Sequence, residues 1–274
     1  MAITAADVNK LRKQTGAGMM DCKNALVETD GDFEAAVDVL RKKGQKVAAK
    51  RGDNDAKEGV IFAEAQGGVG YMLQLNCETD FVAKNPDFQA MIKSIMQVGM
   101  DKGATSSEEL MSITYNDKLT VADKLTEQIG VIGEKLELSK FAKVEAPTVV
   151  AYNHPGNQLA TLVALNNVSD VAADAGKQVA MQVAAMNPLA LSKEGIDDKT
   201  IARELEVGKD LAIQEGKPAE MADKIAQGRL GKFFKENTLL SQAFIKDNKV
   251  TVEQFLSSSE SGLTVTEFQR FSLS

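Results

Sequence analysis

The sequence has little of the chemistry on which most enzymes depend. Among 274 residues it contains one histidine, His154, two cysteines, Cys22 and Cys77, and no tryptophan. A single histidine leaves most metal-binding and acid–base arrangements without their usual members. Two cysteines far apart in the chain fit reduced thiols better than a disulfide framework or a zinc site. We therefore expect an interaction protein that is not an enzyme, with no catalytic residue, metal or cofactor.

Long apolar runs and an excess of positive charge are also missing. No apolar run approaches the roughly 20 residues that a membrane helix needs, and the first residues lack the basic and apolar regions of a signal peptide. We expect a cytoplasmic protein with no membrane contact. The net charge of −7 argues against a general nucleic-acid binder, so no direct nucleic-acid partner is expected.

What the chain does contain is typical of a soluble protein with two or three domains, with 43% hydrophobic and 26% charged residues. Residues 1–55 show three short apolar helical patterns separated by Gly-rich and Asp-rich turns, which predicts an N-terminal three-helix domain. Its end is a basic run that we interpret as a linker. Electrostatic attraction to an acidic partner or RNA is the alternative. The run contains Arg41, Lys42, Lys43, Lys46, Lys50 and Arg51.

Residues 56–146 are predicted to form the first of two related α+β subdomains. Two apolar segments flank a Gly-Gly turn at 67–68, which indicates an antiparallel hairpin, and helical spacing follows from about Pro86. The same pattern returns ninety residues later, in a second subdomain made of residues 147–189 and 236–274. Identical residues at this spacing include Leu75 and Leu165, Asn76 and Asn166, Asp80 and Asp170, Ala83 and Ala173, Ala90 and Ala180, and Met91 and Met181.

Residues 190–235 interrupt the second subdomain with two amphipathic helical patterns joined by a Gly-Lys-Pro turn. This spacing predicts an antiparallel helical hairpin with thin apolar stripes, which we expect to protrude and to pack only on its mate or on a partner. The predicted fold is therefore α+β: a three-helix domain, a core of two related subdomains with antiparallel sheets, and a protruding hairpin.

The loop after the first hairpin is the candidate functional segment. Thr79 or Asp80 is the candidate helix cap, and Phe81 follows directly. Phe81 could fold inward as a hydrophobic staple, or it could form an exposed apolar tip beside the charge of Asp80. Because the second copy also keeps aspartate, as Asp170, we interpret the aspartate as partly structural. The second copy has Val171 in place of the phenylalanine, so the aromatic ring distinguishes the first loop.

Two long motifs resemble the signatures of the bacterial translation elongation factor Ts family. They are LRKQTGAGMMDCKNAL at residues 11–26 and LNCETDFVAK at residues 75–84. The resemblance extends in the family's order through AIQEGKP at residues 212–218 to the final Arg-Phe strand. Gln74 departs from the glutamate usual in the family. Some members carry a further helical module beyond the Arg-Phe strand, and the extra partner contact of that module is not among the contacts expected for residues 1–274.

The resemblance implies a guanine-nucleotide exchange factor for the GTPase elongation factor Tu, with a UBA-like N-terminal domain and a homodimer or 2:2 complex. It also implies that the helical hairpin at residues 190–235 serves dimerisation or partner contact. It implies that the Thr79-Asp80-Phe81 loop enters beside the Mg²⁺ site of the GTPase, where Phe81 wedges between two helices and Asp80 perturbs the metal region. The remaining contacts that it implies lie at Arg12, Met19, Met20, Lys23 and His154. Since neighbouring methionines cannot both face one core, we expect one of the two to be exposed.

Two other function classes compete with this interpretation. An RNA- or ribosome-binding protein would use the basic run at residues 41–51 and would bind RNA in a salt-sensitive way. An enzyme with Cys77 as its nucleophile would need a nearby histidine or basic cluster to activate the thiolate, and the sequence around Cys77 contains neither.

Overall fold

The computed structural model describes residues 3–117 and 119–273. Its helices and antiparallel strands confirm the α+β class. Within the described residues, every helix is too short or too polar to cross a lipid bilayer. The elements in chain order are α1 Ala5–Thr15, α2 Met19–Glu28, α3 Phe33–Lys50, β1 Glu58–Gln66, β2 Val69–Cys77, α4 Asp80–Ala83, α5 Pro86–Lys102, α6 Ser107–Ser112, β3 Thr114–Asn116, β4 Leu119–Thr120, α7 Val121–Ile132, β5 Glu137–Glu145, β6 Thr148–Asn153, β7 Leu159–Leu165, α8 Asp170–Met186, α9 Asp198–Gln214, α10 Ala219–Asn237, β8 Ala243–Phe244, β9 Asp247–Thr251, α11 Val252–Ser259 and β10 Val265–Ser272.

The chain divides into two compact units. The first takes the described residues of Met1–Phe62, Met72–Lys143 and Ser272–Ser274, and the second takes Ala63–Tyr71 and Val144–Phe271. The four-part division predicted from the sequence stays a prediction.

Side-chain caps fix the starts of α1 and α3. The side chain of Thr4 accepts from the Asp7 amide, and the Asp7 carboxylate accepts from the Thr4 amide, which together form a capping box. Helix α1 ends at Gly16, which has the left-handed conformation. The side chain of Asp32 caps α3 by accepting from the amides of Glu34 and Ala35. The buried faces then form one small core, built from Val8, Leu11, Ala17, Cys22, Ala25, Leu26, Ala36 and Leu40.

Helix α3 continues through the basic run to Lys50, so the expected linker at its end is wrong for residues 41–50. This half of the helix packs on α7. The reason is Gly44, where a Cβ atom would lie 2.5 Å from the Thr126 carbonyl oxygen, and Gly130, where one would lie 2.7 Å from the Gly44 Cα atom. The two glycines therefore let the backbones of α3 and α7 approach closely. The glycine that suggested a tether lies instead where two helices cross.

Two three-stranded sheets repeat the same construction. Their strand orders are β1-β2-β5 and β10-β7-β6, each with the hairpin strands adjacent and a later strand added beside the second. In the second copy, β6 and β7 pair antiparallel, with Val150 opposite Val163. Behind this sheet lies a core that includes Leu165, Val179 and Leu256. The repeat predicted from the ninety-residue spacing therefore extends from the hairpin and helix to the closing strand of each sheet.

Helices α9 and α10 form the predicted hairpin and pack through small side chains. Ala212, Ala222 and Ala226 are buried, and a Cβ on Gly208 would lie 3.3 Å from the Ala226 Cα atom. Small residues therefore bring the two helices close together. Some larger apolar side chains are exposed, at Val207, Leu211, Ile213 and Met221.

Candidate partner-binding site

The candidate loop joins β2 to the four-residue helix α4. Thr79 is the helix cap, since its side chain accepts a hydrogen bond from the Val82 amide. Asp80 is the first residue of the helix, so its interpretation as a cap is wrong. The second copy has the same arrangement, in which Ser169 caps α8. The conserved feature of the two loops is thus a hydroxyl cap with an acidic residue after it, where the helix dipole favours negative charge.

Phe81 points outward. Its side chain is 83% exposed, whereas Ala83 is the buried residue of α4 and Phe88 supplies the buried ring in the next helix. The alternative of an inward staple is therefore wrong. Val171, the equivalent residue of the second copy, is 47% exposed. Both loops present an apolar side chain at the same position, but only the first presents an aromatic ring.

Asp80 forms an ion pair with Lys84, one helical turn away, at 2.6 Å between Oδ2 and Nζ. The hydrogen bond from Lys84 is the main reason that the pKa of Asp80 lies below its usual value. The carboxylate is therefore charged at neutral pH and lies beside the exposed ring. In a complex it can exchange Lys84 for another cation, because exposed pairs of this kind are weak.

Glu134 holds the start of this loop, and sequence reasoning did not identify it. One of its carboxylate oxygens accepts from the amides of Glu78 and Thr79, both at 3.1 Å, and the other accepts from the Thr79 hydroxyl at 2.7 Å. The alternating polar and apolar residues at 134–138 are typical of a strand, but β5 begins only at Glu137. A contact over 55 residues of sequence leaves no local signal.

Glu78 makes the reciprocal contact. Its carboxylate accepts from the Lys135 amide at 2.6 Å, from Arg51 at 2.8 Å and from Asn54 at 3.0 Å. Partial burial raises the pKa of Glu78, but these hydrogen bonds outweigh it and bring the pKa below the ordinary value of 4.5. The loop, the segment after α3 and the segment after α7 are therefore joined by one network of charge-assisted hydrogen bonds.

The N-terminal candidates lie on α1 and α2. Met19 and Met20 are 55% and 63% exposed, so both are exposed where the sequence predicted one. Together with Lys23 they line a groove of about 360 Å³ against Ile3 and Val8. Arg12 is exposed on α1 but does not line this groove. Flexible methionine side chains around a shallow apolar groove are typical of an adaptable protein-binding surface.

His154 lies in the second unit, in the turn between β6 and β7. It is exposed, and its Nδ1 atom lies 2.9 Å from the Tyr152 hydroxyl. This contact fixes the ring orientation and leaves the Nε2 edge available to a partner.

Comparison with known proteins decides the family. The family model described as "Elongation factor TS" matches residues 78–274, which includes Phe81 and Glu134. The chain belongs to the elongation factor Ts family. It is 53% identical over 273 residues to elongation factor Ts of Christiangramia forsetii, covering 99% of this chain and 98% of that one. The protein of Flavobacterium psychrophilum is 50% identical, with the same coverage. That of Porphyromonas gingivalis is 46% identical, covering 100% of this chain and 99% of its own.

As a member of this family, the protein is a translation elongation factor that acts in protein biosynthesis. Half of the basic run, which suggested RNA binding, is paired within the chain. Arg41 forms an ion pair with Asp123, Lys43 with Asp21, and Arg51 with Glu78. Half of the run's six charges are thus already neutralised by acidic side chains, which weakens its attraction for phosphates.

The two thiols are protected rather than activated. Burial raises the pKa of Cys77 to about 12, and it raises that of Cys22 as well. A buried thiol with a raised pKa is a poor nucleophile, which contradicts an enzyme that uses Cys77. Within the described residues, no group of three or more His, Cys, Asp or Glu side chains could hold a metal ion.

Proposed function

We propose that this protein is the guanine-nucleotide exchange factor for elongation factor Tu, and that it promotes GDP release by inserting the Asp80–Phe81 loop near the Mg²⁺ and nucleotide of the GTPase. The observation that carries the proposal is an aromatic ring, 83% exposed, on a loop whose base is held by hydrogen bonds. Burial of such a ring in a hydrophobic pocket of a partner lowers the free energy of the complex. Membership of the elongation factor Ts family supports elongation factor Tu as this partner.

The mechanism follows from how a GTPase holds its nucleotide. Phosphates and Mg²⁺ hold each other in a P-loop site, so loosening one weakens both. Phe81 wedges between two helices of the GTPase, and the neighbouring charge of Asp80 disturbs the groups that order the metal. No covalent bond is made or broken, so the protein is not an enzyme in the chemical sense.

Binding and release are linked by reciprocity. The factor binds the nucleotide-free GTPase tightly, and GDP or GTP must weaken that binding by the same free energy by which the factor weakens nucleotide binding. Because the proposed partner acts in translation, we expect this protein to be cytoplasmic.

Further contacts surround the wedge in this proposal. Arg12, Met19, Met20 and Lys23 contact the nucleotide domain of the GTPase, which is supported by the exposed methionine groove. His154 contributes a contact from the second unit. These contacts supply affinity, whereas Phe81 acts on the nucleotide site.

The helical hairpin is the proposed dimerisation or partner module, giving a homodimer or a 2:2 complex. Its support is the set of exposed apolar side chains on α9 and α10, since large apolar groups exposed on one two-helix element are typical of an interaction surface. The set contains Val207, Leu211, Ile213 and Met221.

The test is stopped-flow release of a fluorescent GDP analogue from elongation factor Tu. We expect Phe81→Ala to slow release by about 30-fold, which corresponds to about 2 kcal/mol for a buried aromatic anchor. Val171→Ala removes the equivalent side chain of the second loop and is the matched control, with release unchanged. Equal rates for Phe81→Ala and the wild type would refute the wedge, and equal losses in both variants would show a general effect of the loops.

A further inference from the structure

The loop that carries Phe81 is held by hydrogen bonds at its first residues, and its own side chains contribute little packing. Helix α4 has four residues and buries only Ala83. A helix of one turn has little stability of its own, because nucleation costs more than its few hydrogen bonds return. The direction of the exposed ring is therefore set by the backbone at residues 78–80, where the helix begins.

Glu134 controls this backbone directly. Its carboxylate accepts the two consecutive amides of Glu78 and Thr79 and also the Thr79 hydroxyl. Because the Thr79 hydroxyl donates to Glu134, its lone pairs remain free to accept from the Val82 amide and cap α4. One side chain thus orients the strand end, the cap and, through the cap, the helix that presents Phe81.

The second copy has the same device at the corresponding place. The carboxylate of Glu260, which follows α11 as Glu134 follows α7, accepts from the Asn167 side chain and from the Ser169 hydroxyl. Ser169 in turn accepts from the Ala172 amide as the cap of α8. A carboxylate after the last helix of each copy therefore holds the hydroxyl cap of the loop, although only the first loop carries a phenylalanine.

We propose that Glu134 is a positioning residue for nucleotide exchange, which acts by fixing the Thr79 cap and hence the direction in which Phe81 enters the partner. The inference rests on the proposed function of the Phe81 loop. Fixing the ring before binding removes the ordering cost that a mobile loop would incur at the moment of contact. Loss of Glu134 leaves Phe81 present but poorly directed, so exchange slows even though the wedge itself is intact.

The experiment uses the full chain with Glu134→Ala, Glu134→Gln and, as the matched control, Glu260→Ala. We expect Glu134→Ala to lower the bimolecular rate of GDP release about tenfold. Glu134→Gln should recover part of the rate, because its amide oxygen still accepts from the two amides. Glu260→Ala should lower the thermal midpoint to a similar extent as Glu134→Ala and leave release unchanged. If both alanine variants slow release equally, Glu134 has only a structural role.

A double-mutant cycle separates this proposal from the proposed function on which it rests. If Glu134 acts through Phe81, Glu134→Ala has no further effect on release in a Phe81→Ala background. Additive losses would overturn the positioning role. Unchanged release by Phe81→Ala alone would instead refute the wedge. Slow release by Phe81→Ala together with wild-type release by Glu134→Ala would leave the wedge standing and refute the positioning role.

Discussion

The crossing of α3 and α7 gives the sharpest test of how the first unit is held together. Gly44 lies inside α3, and a Cβ atom there would lie 2.5 Å from the backbone carbonyl oxygen of Thr126, with the Cα atom of the next residue at 3.7 Å. A backbone carbonyl in a helix cannot rotate away as the end of a side chain can. Gly44→Ala therefore forces the two helices apart.

The expected cost is the difference between two effects. Overpacking of a close contact costs about 1–3 kcal/mol, and the rigid backbone at this crossing favours the upper part of that range. Alanine in a helix interior returns about 1 kcal/mol relative to glycine. We expect Gly44→Ala to lower the free energy of unfolding by about 1–2 kcal/mol.

Gly228 in α10 is the matched control. It is also inside a helix, but a Cβ atom there would meet nothing within 4 Å. Gly228→Ala should raise the free energy of unfolding by about 0.5–1 kcal/mol. The chain has no tryptophan, so urea unfolding is followed by circular dichroism at the helix band, with the denaturant midpoint compared at equal slope. A gain of stability in both variants would show that the crossing is not tight, and would refute the role given to Gly44.

Two further predictions concern the loop network and the hairpin. Burial raises the pKa of Glu78, but the hydrogen bonds to its carboxylate outweigh burial and lower the pKa below 4.5. The ionised Glu78 therefore stabilises the fold fully above pH 4.5, and this stabilisation is lost as the pH falls through the lowered pKa. Glu78→Gln should therefore reduce the fall in thermal midpoint between about pH 5 and 3, and an unchanged profile would contradict the pairing. Replacing Val207 and Leu211 with aspartate should abolish concentration-dependent association in sedimentation experiments while preserving helicity; association equal to that of the wild type would exclude this face of the hairpin.

Features that depend on local sequence were predicted well. The hairpin at the Gly-Gly turn, the helix that begins at Pro86 and the hairpin of α9 and α10 all follow from apolar spacing and from turn residues, which act within a few positions. The repeat was visible because both copies keep the same residues at the strand end and the helix start. Such signals need no knowledge of which segments meet in space.

Features that depend on distant contacts were missed or misjudged. Gly44 and the basic residues around it suggested a tether, because glycine occurs both in linkers and at close helix crossings. The contact with Gly130 shows that Gly44 belongs to a crossing. The Glu134 contact also joins segments that are far apart in sequence. The direction of Phe81 was left open by the residues themselves, since a staple and an exposed tip have the same local pattern.

The duplicated loops separate the part of the site that belongs to the fold from the part that belongs to function. Both copies hold a hydroxyl cap with a carboxylate from beyond their last helix, at Glu134 and Glu260. The second copy has the same hydrogen-bonded cap but no aromatic ring, so nucleotide exchange alone does not account for this arrangement. The fold therefore provides a rigid loop twice, and the phenylalanine exploits one of them. The exposed ring is not needed for core packing, because the hydrogen bonds stabilise the loop without it. Phe81 is therefore free to bind a partner.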